Sequence, residues 1–180
     1  VALQAGRKIG ENPPSFARVS ERRWSEMREQ ETERLGWWRE HLQTPLSPFC
    51  LPTDRIRPRR RSLRGSRRLL DVPGEIVEEI VGRGLEAGVT PHQTLLTAFS
   101  GWLSWLTGRR DIPLLMPVGN RRSDDERRVL GSLLNTLPMY IRWSDSHSLL
   151  AQSLAVREVV RGSVENQLPF ERLLEELDIA

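Results

Sequence analysis

The sequence has one cysteine and three histidines among its 180 residues. Because Cys50 stands alone, no disulfide can form within the chain, and a thiolate metal cluster is excluded. His41, His92 and His147 are far apart and show no metal-ligand spacing, and the G-x-S-x-G motif of serine hydrolases does not occur. The sequence therefore gives no support to a metalloenzyme or a serine hydrolase, and we expect no metal site.

Long apolar runs are also missing. No run approaches the roughly 20 residues that cross a bilayer, and the chain does not start with a signal-peptide pattern. The composition, 38% hydrophobic and 28% charged, is typical of a soluble globular protein. Together with the single cysteine, these features predict a cytoplasmic protein without a membrane partner.

Lysine is nearly missing as well. Lys8 is the only lysine among 27 basic residues, yet the net charge is only +3 because 24 acidic residues are interleaved. Eight arginines lie between Arg55 and Arg68, with no aromatic residue among them. Nucleic-acid-binding surfaces usually combine basic charge with stacking groups, so we expect no nucleic-acid partner. This run is either a solvated, extended loop or a docking surface for acidic groups.

Apolar periodicity and helix-boundary residues predict a layered α/β (α+β) arrangement, with helices packed on a mixed sheet. Residues 1–14 read as a linker or loop, and residues 15–180 as the domain. The predicted helices are 16–42, 73–87, 91–107, 147–164 and a last helix from Pro169; the predicted strands are 67–72, 111–118 and 133–143. Residues 47–61 are expected to be extended, and residues 120–128 to form a charged loop.

Four tryptophans fit the apolar stripes of predicted helices. Trp24 and Trp38 lie on the first helix, and Trp102 and Trp105 lie three residues apart on the helix over 91–107. Core packing is the expected role for all four. The strand over 111–118 is a continuous apolar run, which favours burial on both of its faces.

Five phrases, in this order, resemble the condensation domain family of nonribosomal peptide synthetases. They are Trp38-Arg-Glu-His-Leu42, Leu51-Pro-Thr-Asp-Arg-Ile-Arg-Pro58, Met116-Pro-Val-Gly-Asn-Arg121, Leu130-Gly-Ser-Leu-Leu-Asn-Thr-Leu-Pro138 and Pro169-Phe-Glu171. The family's H-H-x-x-x-D-G phrase, which carries its catalytic histidine, does not occur. Glu165-Asn-Gln167 stands where the family has H-Q-D. The resemblance implies a second-half fragment of the family domain, truncated at both ends.

The resemblance implies a chloramphenicol-acetyltransferase-like fold and amide formation between two carrier-protein-bound thioesters. The implied partners are donor and acceptor peptidyl carrier proteins and an adjacent adenylation domain. No cofactor would bind directly, since the carrier proteins bring the phosphopantetheine arm. The fragment alone is expected to be inactive. Two other interpretations remain: a non-catalytic recruitment or docking module, and an epimerization-type relative, although the Asn135-Thr-Leu-Pro138 phrase favours condensation.

By resemblance, four residues border the substrate tunnel: Asn135, Thr136, Asn120 and Arg121. Pro169, Phe170 and Glu171 form the matching loop motif. For Asn135 two roles stay open, because its amide either faces the tunnel or ties its strand to a neighbouring loop. For Asn120 and Arg121 the alternative is a solvated turn. No catalytic residue is expected in this fragment, and the three histidines are interpreted as exposed residues near helix ends.

Overall fold

The computed structural model describes residues 13–42, 49–56, 58–60, 62 and 64–177. Seven helices and two strands lie in these ranges: α1 Phe16–Glu29, α2 Glu31–His41, α3 Gly74–Glu86, α4 Pro91–Thr107, β1 Asp111–Val118, α5 Asp124–Arg128, β2 Asn135–Arg142, α6 Leu149–Glu165 and α7 Phe170–Leu177. β1 and β2 pair as a two-stranded antiparallel sheet. None of the helices in these ranges is both long and apolar enough to cross a bilayer. The chain divides into two compact units.

The first unit contains α1, α2, α5, α7 and the strand residues 115–118 and 135–138. Val19 of α1 packs in a buried cluster with Val129 and Leu133, which flank α5 and β2. Trp38 of α2 is 1% exposed, and its indole N–H donates a 2.7 Å hydrogen bond to the Asn166 carbonyl. That bond satisfies the buried polar end of the ring. The core position predicted for Trp38 is therefore confirmed.

The second unit contains α3, α4, α6 and the strand residues 111–114 and 139–142, and α4 packs against both α3 and α6. The buried face of α4 is made of small hydroxyl residues and one leucine. It consists of Thr94, Thr97, Ser100, Leu103 and Ser104. Each threonine and serine hydroxyl of this face donates to a backbone carbonyl, so these buried polar groups are satisfied.

The ends of α4 follow the sequence prediction residue for residue. Thr90 is the N-cap of a capping box with Gln93, and Pro91 occupies the first turn. Gly108 ends the helix with φ 68°, a conformation that glycine adopts without steric cost. The helices predicted over 73–87, over 147–164 and from Pro169, and the strands over 111–118 and 133–143, are confirmed within a few residues.

Three predicted elements are corrected. The helix expected over 16–42 is interrupted at Gln30, where Glu31 and Glu33 start α2 with negative charge near its positive end. The strand expected over 67–72 does not form, because no described segment pairs with these residues. The charged loop expected over 120–128 contains the five-residue helix α5. The described parts of 47–61 have no helix or strand, as expected, whereas residues 1–12 of the predicted linker lie outside the described ranges.

The predicted burial is wrong for three of the four tryptophans. Trp24, Trp102 and Trp105 are 49%, 50% and 80% exposed. The small-residue face of α4 is the one that packs within the second unit, so its tryptophan face stays half exposed or more among the described residues. The strand expected to be buried on both faces also exposes 58% of Leu115.

Candidate functional site

Arg121 is the centre of the first network in the loop that connects β1 to β2. The Arg121 guanidinium donates to the carbonyls of Glu126, Val129 and Gly131, with distances of 3.0 Å to Val129 and 2.7 Å to Gly131. One rigid, forked cation thus satisfies three backbone acceptors of a segment that lacks a sheet partner. Arg121 is exposed and engaged with its own loop, and its tunnel role stays a prediction.

Glu126 is the centre of the second network in this loop. Its side chain is 7% exposed and accepts hydrogen bonds from Arg23 Nε at 2.8 Å and from the backbone N–H groups of Arg122 and Ser123 at 2.7 and 3.0 Å. The bond from Arg23 lowers the pKa of Glu126 from 4.5 to about 2, against the opposing effect of burial, and the Ser123 and Arg122 N–H groups lower it further. Glu126 therefore stays ionised and is too weak a base to take a proton near neutral pH.

Asn120 lies at the start of the same loop, with φ 53° in the left-handed region that asparagine tolerates better than most residues. Its carbonyl accepts a hydrogen bond from Arg23. Arg23 of α1 thus contacts both Asn120 and the Glu126 carboxylate, and it fixes the two ends of residues 120–126 against α1.

A cavity of about 310 Å³ lies within the first unit, between α1, the 120–135 loop and the segment before α7. Four of the seven residues predicted for the site line it: Asn120, Asn135, Pro169 and Glu171. The other three, Thr136, Arg121 and Phe170, do not line it. Its remaining lining residues include Trp24, Met27, Arg23, Arg34, Glu126, Leu133 and Gln167. The structure thus brings residues of three predicted motifs to one place.

Asn135 ties β2 to the segment before α7. Its amide Nδ2 donates to the Leu168 carbonyl at 2.9 Å, and its Oδ1 accepts from the Thr136 N–H at 2.9 Å. The structural role that the sequence left open is therefore present. The tunnel role stays a prediction, and it is compatible with this bond because Asn135 also lines the cavity.

The cavity wall carries charges of both signs. Arg34 donates to the Gln167 carbonyl at 2.8 Å, and burial lowers the pKa of Arg34, with the positive charge of Arg122 lowering it further. The carboxylates of Glu126 and Glu171 offset these cations. Such a wall can hold neutral, hydrogen-bonding groups such as amides and carbonyls, next to the apolar surfaces of Trp24 and Met27.

None of the three histidines lines this cavity. His41, His92 and His147 are exposed, as expected, and the His41 ring stacks on Trp37 at 4.0 Å. Within the described ranges, no three histidine, cysteine or acidic side chains converge to hold a metal ion. The cavity therefore offers binding groups rather than a recognisable base among these residues.

Sequence reasoning missed four of the polar residues that shape this site: Arg23, Arg34, Glu126 and Gln167. One signal was available, since Ser123 and Glu126 have the three-residue spacing of a capping box, and both halves of that box form. Arg23 and Arg34 carried no such signal. The sequence has 26 arginines spread over its whole length, so no pattern singles these two out.

Comparison with known proteins places the chain in a family. A family model described as the condensation domain matches residues 2–180. Phosphinothricin tripeptide synthetase PhsC of Streptomyces viridochromogenes is 36% identical over 148 residues, which are 80% of this chain and 13% of PhsC. The chain thus spans a small part of this relative.

Two solved structures show the shared fold. The condensation domain of the monacolin K polyketide synthase MokA superposes with a TM-score of 0.75 at 23% identity, covering 99% of this chain and 43% of that one. The X-domain in the complex with OxyB from teicoplanin biosynthesis superposes with a TM-score of 0.79 at 24% identity, covering 99% and 41%. The predicted fold is confirmed, and the chain spans less than half of each solved chain.

Proposed function

This chain belongs to the condensation domain family, whose fold is chloramphenicol-acetyltransferase-like, and from that membership we propose that it forms part of an amide-forming enzyme of nonribosomal peptide synthesis. The acceptor amine attacks the donor thioester, the C–N bond forms and the C–S bond breaks. Both substrates arrive on the phosphopantetheine arms of carrier proteins, with an adenylation domain next to the condensation domain. The observation that carries the proposal is the cavity where Asn120, Asn135, Pro169 and Glu171 meet.

The residues of this cavity would bind and orient the substrates. A phosphopantetheine arm contains amide groups, and the side-chain amides of Asn120, Asn135 and Gln167 are matching hydrogen-bond partners. Arg121 would support this wall by holding residues 126–131, and Thr136 and Phe170 are the chain neighbours of lining residues. The base or hydrogen-bond acceptor for the amine would come from outside this chain, because no pair of adjacent histidines occurs in the sequence. We therefore expect the chain alone to form no amide.

Substitution of Asn135 in the synthetase that contains this chain tests the proposal. Asn135→Ala should lower kcat for amide formation between two loaded carrier proteins about 10- to 100-fold, if the amide acts on the reacting groups. The matched control is Gln152→Ala. Gln152 bonds the Arg142 carbonyl at 2.9 Å and the Ser144 N–H at 3.3 Å, which is the same kind of backbone tie in the second unit.

The control separates a substrate role from a structural one. Gln152→Ala should lower the free energy of unfolding by about 1–3 kcal/mol and leave kcat within about threefold at a temperature where the protein is folded. If Asn135→Ala also loses only stability, the amide has no role at the reacting groups. A synthetase that forms no amide but binds a partner protein through this domain would favour the recruitment alternative.

A further inference from the structure

Residues 55–70, which we call the arginine strip, differ from the rest of the chain in charge. They contain eight arginines and no acidic residue. Subtracting their +8 from the chain's net charge of +3 leaves −5 for all other residues. The residues outside the strip therefore carry net negative charge, and the basic excess of the chain is concentrated in one segment. A high arginine content alone does not explain this placement.

The arginines of the strip also differ in what they contact. Elsewhere arginines find acidic partners, as in the pairs Arg83–Glu79 at 2.8 Å and Arg172–Glu31 at 2.5 Å. Six strip arginines are described and exposed, and their side chains form no ion pair, hydrogen bond or ring contact within the described residues. They are Arg55, Arg59, Arg60, Arg64, Arg67 and Arg68. Their charge is therefore available to a partner.

The strip exposes large aliphatic side chains as well. Ile56 is 97% exposed, and Leu69 and Leu70 are 87% and 86% exposed. Arginine is enriched at protein–protein interfaces, and exposed aliphatic side chains beside it supply apolar area that a partner can bury. Binding to single-stranded nucleic acid would favour aromatic side chains for base stacking, and the strip contains none. These observations favour a protein partner whose surface carries carboxylates around an apolar centre.

We propose that the arginine strip docks a carrier domain of the synthetase through a carboxylate-rich face. This assignment rests on the proposed function, which supplies two kinds of neighbour: carrier and adenylation domains. The carrier must arrive and leave in every cycle, and complementary charge speeds association without requiring slow dissociation. An adenylation domain is a permanent neighbour and gains little from steering. The strip is therefore assigned to the carrier.

The test compares two synthetase variants that lose the same charge. The strip variant replaces Arg55, Arg59, Arg60, Arg64, Arg67 and Arg68 with glutamine. The control variant replaces six other exposed arginines: Arg18, Arg83, Arg110, Arg127, Arg142 and Arg161. The measurement is the Kd of a free, phosphopantetheine-loaded carrier domain by fluorescence anisotropy, at low salt and at about 0.3 M salt.

We expect the strip variant to raise Kd at low salt at least about 10-fold and to lose most of the salt dependence, while the control variant changes Kd less than about threefold. Equal Kd values for the strip variant and the unmodified synthetase would overturn the proposal, and so would equal losses in both variants. If the strip variant does not fold, Arg67→Glu with Arg68→Glu replaces it, with Arg127→Glu and Arg161→Glu as its control.

A small soluble thioester separates this proposal from the proposed function. Because such a donor, paired with a small soluble amine as acceptor, needs no docking, the strip variant should convert this pair at the unmodified rate and lose rate only with carrier-bound substrates. If the unmodified synthetase forms no amide from either donor, the proposed function fails while the Kd comparison still decides the docking. Tight, salt-dependent binding of a single-stranded oligonucleotide that only the strip variant loses, without an effect on carrier binding, would assign the strip to nucleic acid instead.

Discussion

At the residue scale, Glu126 is the charge whose environment is best defined, since a side chain of α1 and two backbone N–H groups converge on a carboxylate that is 7% exposed. Its pKa is about 2, below the 4.5 of an ordinary glutamate. A carboxyl whose pKa falls on folding adds stability that is complete above about pH 4.5 and is lost as the pH falls towards 2. The contribution at neutral pH is roughly 3 kcal/mol.

We expect Glu126→Gln to lower the free energy of unfolding at pH 7 by about 2–3 kcal/mol, because the Arg23 guanidinium loses its carboxylate partner and two N–H groups meet a side chain with one acceptor. Urea titrations between pH 2 and 7 measure this effect. The variant should also lose much of the decline in stability below about pH 4.5. Glu86→Gln, on the exposed surface of α3, is the control and should change neither quantity. If Glu126→Gln loses as much stability below about pH 4.5 as the unmodified protein, the prediction is wrong.

At the element scale, the sequence predicted where α4 begins and ends, but it did not predict which segments pack or pair with one another. Thr90, Pro91 and Gly108 fix the ends of α4 through local bonds and dihedral angles, so the sequence alone contains the information. The break at Gln30 and the missing strand at 67–72 depend on what each segment packs against or pairs with. That information is not local, and apolar periodicity cannot supply it.

Two glycines in helices give opposite predictions for the same substitution. A Cβ at Gly101 of α4 would lie 2.6 Å from Cη2 of the Trp143 indole, whereas a Cβ at Gly82 of α3 would meet nothing within 4 Å. Alanine is favoured over glycine in a helix by about 1 kcal/mol. Gly82→Ala should therefore stabilise the protein by about 0.5–1 kcal/mol, and Gly101→Ala should destabilise it by about 1–3 kcal/mol because the ring must move.

The combination of Gly101→Ala with Trp143→Leu distinguishes a steric cause from a general intolerance of α4. If the indole is the obstacle, the double variant should be more stable than the sum of the two single changes implies, and thermal or urea unfolding of the four proteins gives that coupling. Additive effects would mean that Trp143 is not the obstacle. A stabilising Gly101→Ala would contradict the close approach of α4 to the ring.

At the scale of the whole molecule, the sequence predicted the family and the fold because short motifs survive in order, but it misjudged burial. Four of the seven predicted site residues meet at one cavity, since Asn135 and Pro169 are tied through the Leu168 carbonyl. By contrast, Trp102 and Trp105 form a well-spaced apolar stripe and stay exposed. Apolar periodicity indicates which face of a helix is suited to packing. It does not show whether the surface that packs against that face belongs to the same chain.

The exposed apolar side chains of α3 and α4 predict how the isolated chain behaves. Ile76, Ile80, Phe99, Trp102 and Trp105 are 49%, 38%, 47%, 50% and 80% exposed, and the Phe99 and Trp102 rings contact each other. Exposed apolar area of this kind favours association in water. We expect the chain alone to self-associate at micromolar concentration, with a broad thermal transition, as measured by sedimentation and calorimetry.

Trp102→Gln with Trp105→Gln should shift the chain towards monomer and leave the free energy of unfolding within about 1 kcal/mol, because side chains this exposed contribute little to folding. The control is Ile56→Gln, which removes a 97% exposed aliphatic side chain outside the helices and should leave association unchanged. If the unmodified chain is a monomer with a sharp thermal transition, the exposed apolar side chains of α3 and α4 do not drive self-association. If both variants weaken association equally, the chains associate through nonspecific apolar contacts. Only a selective effect of the tryptophan variant assigns the association to α4.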